Sequence, residues 1–185
     1  MKADHVFVGK QVYPNGKSTS DHRTPYDFFK KIDEIYHFNL DAAASHENAL
    51  CENYFTIADN SLIQNWKGSV WLNPPYNNIK EFVSKIKIEL SKDMEKCALL
   101  VPNRTDTVWF KNAWKMAEII YFIHGRLSFS GPNERGNGTA PFGSTLFIFD
   151  QKHYKRKEIM NISEFHKWQR PKNIFLVDRE FRVIA

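Results

Sequence analysis

The segment WLNPPYNN, residues 71–78, ends a predicted strand with an asparagine, two prolines and a tyrosine. Pro74 pushes Asn73 out of helical dihedral angles, and Pro75 removes a second backbone N–H. The turn therefore presents carbonyl groups and side chains with few competing donors. Functional groups of a parallel sheet collect at the carboxyl ends of its strands, so this turn occupies the position of a site.

The sequence on either side of the turn predicts an α/β fold. The segment GSVWLN has the pattern of a strand, and CALLVP, residues 97–102, that of a buried central strand. Between them, apolar residues recur at helical spacing: Ile79, Phe82, Val83, Ile86 and Leu90. Strands that alternate with helices predict a mostly parallel sheet covered on both faces. The last two predicted strands of the domain, in EIIYFIHGRLSF and STLFIFD, are joined by a loop without a helix. We therefore expect an antiparallel strand at one end of the sheet.

A second amphipathic helix is predicted in TPYDFFKKIDEIYHF, with Thr24 as its N-cap and Pro25 in its first position. The preceding residues are polar and turn-rich, which is typical of an arm. We therefore expect an N-terminal arm at 1–23, a main domain at 24–150 and a basic C-terminal extension at 151–185.

Composition and charge narrow the class of protein. With 42% hydrophobic and 25% charged residues, the chain is neither disordered nor fibrous. The net charge of +5 comes from the extension, since residues 1–150 hold 17 basic and 17 acidic side chains and residues 151–185 hold 9 and 4. A basic tail indicates an anionic partner, nucleic acid first, although a solvated basic face explains the charge equally well.

The sequence shows no clear targeting segment and only two cysteines. No apolar run is long enough to span a membrane and no signal peptide is recognisable, so a cytoplasmic protein is expected. Cys51 and Cys97 lack a second ligand at metal-binding spacing, which predicts buried free thiols and no metal. The sequence does not indicate an oligomeric state, and a monomer is the default expectation.

The chemistry of the opening turn suits an amine on a flat ring. The Asn73 carboxamide oxygen and the Pro74 carbonyl can accept both hydrogens of one –NH2 group, and the Tyr76 ring offers a face for stacking. An adenine N6 amine held in this way has a freer lone pair and can be aligned with an electrophilic methyl group. The alternative is an ordinary strand-to-helix turn stiffened by proline.

Several stretches occur in an order that supports the first interpretation: TPYDFF, FNLDAAASHENALCENYFT, ADNSLIQNW, VWLNPPYN, ALLVPNRTDTVWF, IIYFIHGRLSF and APFGSTLFIF. Through them, residues 23–150 resemble the phage-associated DNA N6-adenine methyltransferases of the Dam type. The resemblance implies S-adenosylmethionine as cofactor, double-stranded DNA as partner, and a Rossmann-like class I methyltransferase fold with seven strands. It also implies catalytic roles for Asn73, Pro74, Pro75 and Tyr76.

The same resemblance implies which residues bind the cofactor. Thr24 and Pro25 match the segment that contacts the methionine end, and Asp41 with Ala42 match the acidic position near the cofactor's amino group or ribose. Asp59 matches the residue that accepts from the adenine amine. Considered without the resemblance, Thr24 and Asp41 are helix caps and Asp59 belongs to a turn. The segment DAAA also departs from the glycine-rich loop of most such enzymes.

For DNA, the resemblance and the charges suggest a second set of residues. The target base must leave the duplex to reach a strand-end pocket. Phe129 matches a position that presses on the base, although it also fits a buried strand aromatic. Candidate phosphate contacts are Arg104, Arg126, Lys155 and Arg156.

Two other functions remain open from the sequence. NPPY also occurs in methyltransferases that act on RNA or on protein amides. A catalytically inactive DNA-binding relative is the third hypothesis, and the departure of DAAA from a glycine-rich loop leaves room for it.

Overall fold

The computed structural model describes residues 23–128, 140–154 and 173–184. In chain order the elements are α1 (Tyr26–Tyr36), β1 (Leu40–Asp41), β2 (Asn53–Tyr54), β3 (Gly68–Leu72), a 3-10 turn (Tyr76–Asn78), α2 (Ile79–Leu90), β4 (Met94–Pro102), α3 (Val108–Met116), β5 (Ile119–Ile123), β6 (Ser144–Asp150) and β7 (Asn173–Val177). No helix within the described ranges is long and apolar enough to cross a membrane.

The strands form one seven-stranded sheet in the order β2-β1-β3-β4-β6-β5-β7. All pairings are parallel except those of β6 with β4 and β5. The predicted mostly parallel α/β sheet is thus confirmed. The antiparallel strand lies inside the sheet and not at its end, because its residues Ser144–Phe149 are all buried and need a neighbour on each side. Strand β7 takes the edge, so 173–177 of the predicted extension join the main sheet.

Helices cover both faces of the sheet, as predicted. On one face α2 and α3 pack on alternate strand residues, for example Val70 and Leu72 of β3. On the other face α1 packs through Phe28, Phe29 and Ile32 against a set that includes Trp71. The alternation follows from the two-residue repeat of a strand, which sends neighbouring side chains to opposite faces.

The start of α1 differs from the prediction. Pro25, not Thr24, is the N-cap residue, and no side chain caps the helix. The Pro25 carbonyl accepts the Phe29 N–H at 3.0 Å, so the first turn closes without a side-chain oxygen. The Thr24 hydroxyl is therefore available to another partner, which lies in the site described below.

One face of α2 is less polar than its sequence indicates. Lys85 and Glu89 are charged residues outside the apolar repeat of α2, yet both are buried. The Glu89 carboxylate accepts hydrogen bonds from Lys85 Nζ at 2.7 Å and from the Trp66 N–H at 3.0 Å, while Lys85 Nζ also donates to the Gln64 carbonyl at 2.6 Å. This pair joins α2 to the loop that leads into β3. The predicted free thiols are confirmed, although Cys97 is buried and Cys51 only half-buried.

Candidate active site

The carboxyl ends of β1 and β3 lie side by side, as the second and third strands of the sheet. Leu40 is opposite Val70 and Asp41 is opposite Trp71. The chain leaves β1 toward β2 on one side and later continues from β3 toward β4 on the other, so a crevice opens at this switch point. The crevice, here called the main cleft, has a volume of about 380 Å³. Predicted residues that line it are Thr24, Asp41, Ala42, Asn73, Pro74 and Pro75.

The side chain of Asn73 is oriented by Thr24. Its Nδ2 group donates a hydrogen bond of 3.0 Å to the Thr24 hydroxyl, and Thr24 is only 9% exposed. Because the amino end of the planar amide is bound there, its Oδ1 atom points away from Thr24. The two residues are 49 positions apart in sequence, so α1 and the end of β3 meet at this bond.

The two prolines after Asn73 have different surroundings. Pro74 is buried, whereas Pro75 is exposed and precedes the 3-10 turn. The Pro75 carbonyl accepts the Asn78 N–H at 2.9 Å and thereby closes that turn. The Pro75 acceptor is thus used within the turn, and Pro74 supplies the carbonyl adjacent to Asn73.

Asp41 lies at the base of the main cleft and is 4% exposed. Its two carboxylate oxygens accept the N–H groups of Ala43 at 3.2 Å and Leu50 at 3.1 Å. Burial raises the pKa of Asp41 to about 6, against the opposing effect of these two hydrogen bonds. No helix follows β1 directly, so Asp41 is not the helix cap that its local sequence suggests. It orders the loop 42–50 and presents a carboxyl group to the cleft.

The small residues after Asp41 bring backbone close to the cleft. The Ala42 N–H donates to the Trp71 carbonyl and the Ala44 N–H to the Phe55 carbonyl, each at 2.9 Å. Both bonds attach the loop to neighbouring chain segments. The segment DAAA thus forms an ordered wall without glycine.

Asp59 does not reach the main cleft. Its carboxylate accepts hydrogen bonds from the N–H and the hydroxyl of Thr56, both at 2.7 Å. These bonds lower the pKa of Asp59, which is fully exposed. The residues of this turn that line the cleft are Thr56, Ile57 and Asn60. Ile57 is 97% exposed, so an apolar side chain stands at the cleft mouth, which the sequence reading missed.

Tyr76 lies outside the main cleft. Its ring contacts Phe142 edge-to-face, with centroids 5.3 Å apart, and burial raises the pKa of its hydroxyl. The segment that carries Phe142 is fixed to the end of β4, because the Asn103 N–H donates to the Gly143 carbonyl at 2.8 Å. The sequence patterns do not identify Phe142 as a site residue, although it lies in the segment APFGSTLFIF.

The structure describes two of the five residues predicted to contact DNA. Arg104 and Arg126 are exposed and follow β4 and β5, whose carboxyl ends share the edge of the sheet that carries Asn73. Phe129, Lys155 and Arg156 lie outside the described residues, as does most of the arm. Among the described residues, no group of three His, Cys, Asp or Glu side chains is placed to hold a metal ion.

Comparisons with known proteins bear on this arrangement. A family model described as "DNA N-6-adenine-methyltransferase (Dam)" matches residues 15–173. A relative named DNA N-6-adenine-methyltransferase from Escherichia phage T1 is 34% identical over 128 residues, which is 68% of this chain and 52% of that protein. Another of the same name, from Haemophilus phage HP1, is 30% identical over 156 residues, 74% of this chain and 90% of that protein.

This chain therefore spans about half of the phage T1 relative and most of the phage HP1 relative. The family match extends beyond both ends of the resemblance found in the sequence and includes the first residue of β7. It covers the NPPY turn and every residue that lines the main cleft. The chain belongs to the DNA N-6-adenine-methyltransferase (Dam) family.

Proposed function

We propose that the protein transfers the methyl group of S-adenosylmethionine to the N6 amine of an adenine in DNA. The observation that carries this proposal is the bond from Asn73 Nδ2 to the Thr24 hydroxyl, 3.0 Å long, at the rim of the main cleft. It orients the Asn73 carboxamide as a hydrogen-bond acceptor beside the Pro74 carbonyl. Family membership and the names of both phage relatives support adenine in DNA as the substrate.

The main cleft has the volume and the chemistry for S-adenosylmethionine. Its volume of about 380 Å³ falls within the usual range for small-molecule sites. Asp41 would hold the cofactor's ammonium group, which suits a carboxyl group otherwise costly to ionise in a buried position. The apolar lining from Leu50, Phe55, Leu62 and Phe82 would surround the flat and sulfur-bearing parts. When bound, S-adenosylmethionine supplies an electrophilic methyl group and leaves as a thioether.

Asn73 and Pro74 would activate the amine. An adenine amine is a weak nucleophile because its lone pair is delocalised into the ring. Acceptance of both N–H groups, one by Asn73 Oδ1 and one by the Pro74 carbonyl, favours a pyramidal nitrogen with a localised lone pair. Neither group takes a proton. The nitrogen becomes cationic as its bond to the methyl carbon forms, and it then loses one proton to water.

Tyr76 would hold the base. An adenine inside a duplex cannot reach a strand-end site, so it must leave the stack at a cost of a few kcal/mol. Stacking on an aromatic ring contributes about 1–3 kcal/mol per base and offsets part of that cost. Contact with Phe142 restrains the Tyr76 ring before the base arrives.

The direct test is to incubate the protein with S-adenosylmethionine and unmethylated DNA and to measure N6-methyladenine by mass spectrometry. We expect product with the wild type, loss of at least about 100-fold with Asn73→Ala, and full activity with Asn112→Ala, an exposed asparagine of α3. Equal melting temperatures of the variants would show that the fold is intact. Absence of product from the wild type, or undiminished product from Asn73→Ala, would contradict the proposal.

Parallel incubations with RNA and with protein, using labelled S-adenosylmethionine, separate the other acceptors. Label in RNA or protein but not in DNA would replace DNA as the substrate. DNA binding without any binding of S-adenosylmethionine in calorimetry would instead identify an inactive DNA-binding relative.

A further inference from the structure

A second group of polar residues lies at the same edge of the sheet as Asn73, beyond the main cleft. Strands β5 and β7 are parallel, and each ends there in a polar turn. The two turns are joined where the His124 N–H donates to the Val177 carbonyl at 2.7 Å. Between them is a cleft of about 250 Å³, lined by His124, Gly125, Asp178, Arg179, Glu180 and Arg182.

The turn after β7 is rigid. The Asp178 carboxylate accepts the N–H groups of Glu180 and Arg182, each at 2.9 Å, and the Asp178 N–H donates to the Arg182 carbonyl at 2.9 Å. Phe181, which closes the turn, packs its ring against Tyr121 of β5 with centroids 4.7 Å apart. Arg179 therefore lies on a turn that is held by its own hydrogen bonds and by the packing of Phe181 against Tyr121.

The Arg179 side chain lies over Gly125. A Cβ atom on Gly125 would stand 3.4 Å from Arg179 Nε and 3.7 Å from its Cδ. Gly125 has a φ of +78°, a backbone conformation that favours glycine. The glycine lets the turn after β5 bend and leaves room for the Arg179 side chain.

Charge is distributed unevenly around these arginines. Arg182 pairs with Asp178 at 2.7 Å and with Glu180 at 3.5 Å, and Lys31 lies 3.9 Å from Glu180. Both carboxylates of the turn are thereby matched by cations. Arg126 and Arg179 are exposed, and neither takes part in an ion pair formed within the described residues. The turns after β5 and β7 therefore carry two exposed arginines, Arg126 and Arg179, that stand outside the ion pairs found within the described residues.

The distance to the catalytic turn suits a DNA backbone. Four strand steps separate β3 from β7, which is roughly 19 Å at the usual spacing between strands. Phosphates of one DNA strand advance about 3.4 Å per nucleotide along the helix axis. A duplex that delivers a base to Asn73 and runs along this edge has phosphates five to six nucleotides away, near Arg126 and Arg179.

We propose that Arg179, together with Arg126, forms a phosphate-binding surface that holds the DNA backbone beside the methylation site. This proposal rests on the proposed function for the identity of the ligand. We assign phosphate as the ligand because a guanidinium binds phosphate oxygens in any sequence, and because these arginines lie about five to six nucleotides from the base delivered to Asn73. Strand β7 then has a role in binding besides closing the edge of the sheet.

The test is the salt dependence of binding to an unmethylated, mixed-sequence duplex, followed by fluorescence anisotropy. Removal of one phosphate contact lowers the slope of log K against log salt concentration by about 0.9. For Arg179→Gln we expect weaker binding at low salt, and a Kd ratio to wild type that shrinks about 3.5-fold between about 50 and about 200 mM salt. Arg179→Lys should keep most of the slope.

Lys67→Gln is the matched control, because Lys67 is exposed and precedes β3 at the opposite edge of the sheet. It removes the same charge and should leave the slope unchanged. An unchanged slope in Arg179→Gln, or an equal change in Lys67→Gln, would overturn the proposal.

Methylation assays on the same samples separate the two proposals. If the wild type methylates DNA and Arg179→Gln does not change the salt slope of binding, the proposed function is supported and the phosphate-binding surface is refuted. If Arg179→Gln lowers the salt slope but the wild type does not methylate DNA, the phosphate-binding surface is supported and the proposed function is refuted.

Discussion

Replacement of Thr24 by valine removes the hydroxyl that accepts the Asn73 amide hydrogen while it keeps the shape of the side chain. Thr24 is nearly buried and Asn73 half-buried, so water can replace the lost acceptor only in part. An unsatisfied donor in such a place costs about 1–3 kcal/mol. Because Asn73 is not fully buried, we take about 1–2 kcal/mol, which corresponds to a decrease of about 5–30-fold in rate.

The decrease should appear in kcat. Loss of the Thr24 acceptor weakens the preference for the orientation that points Asn73 Oδ1 at the adenine amine, and the flipped amide would oppose a donor to a donor. Proper orientation matters only when the amine becomes pyramidal, so affinity for DNA and S-adenosylmethionine should change by less than about threefold. Thr24→Ser keeps the hydroxyl and should restore most of the rate. Steady-state kinetics of the three proteins, with melting temperatures as a check on folding, measure these effects.

Two results would refute this reasoning. If Thr24→Val raises the KM for S-adenosylmethionine and leaves kcat unchanged, Thr24 acts on the cofactor and not through Asn73. If Thr24→Ser is as slow as Thr24→Val, the hydroxyl is not the group that matters.

Three further predictions concern other parts of the site and the fold. Burial raises the pKa of Asp41 to about 6, so its carboxyl group is ionised above that pH and neutral below it. Affinity for S-adenosylmethionine, measured by calorimetry, should therefore fall up to about tenfold from pH 7 to pH 5. Asp41→Asn should weaken binding and abolish this pH dependence. Glu89→Ala leaves the Lys85 ammonium group buried without its carboxylate partner, and it should lower the free energy of unfolding in urea titrations by about 3–5 kcal/mol. The control Glu81→Ala, on the exposed face of α2, should have little effect. Tyr76→Ala should reduce kcat/KM for DNA by about 5–150-fold in methylation assays through loss of stacking, and Tyr76→Phe should retain most of it.

Local patterns in the sequence determined the helices and most of the sheet. The apolar spacing from Ile79 to Leu90 indicates a helix, because it places the apolar groups on one face. CALLVP is a short continuous apolar run that ends in a proline, which favours a buried strand over a helix. The NPPY turn was recognisable for the same reason, since the dihedral limits of proline act on adjacent residues alone. These features depend on neighbours in the chain.

Other features depended on residues far apart in the chain. The local sequence made Thr24 a helix cap, but the bond to Asn73 takes its hydroxyl across 49 positions. Lys85 and Glu89 are outside the apolar repeat of α2, and they are buried because Glu89 binds Lys85 and the Trp66 N–H of a distant loop. The resemblance implied that Asp59 binds the cofactor's adenine amine, whereas the structure shows two bonds from Thr56 to its Oδ2 atom and places Asp59 outside the lining of the main cleft.

The sequence by itself therefore determined the α/β class, the family and the position of the acceptor turn. Only the tertiary structure decided that β6 lies inside the sheet, that Thr24 orients Asn73, and that the Arg179 side chain lies over Gly125. The physical reason is that periodicity and dihedral limits act over a few residues, whereas strand order, hydrogen-bond partners and charge neighbours are settled by which segments pack together.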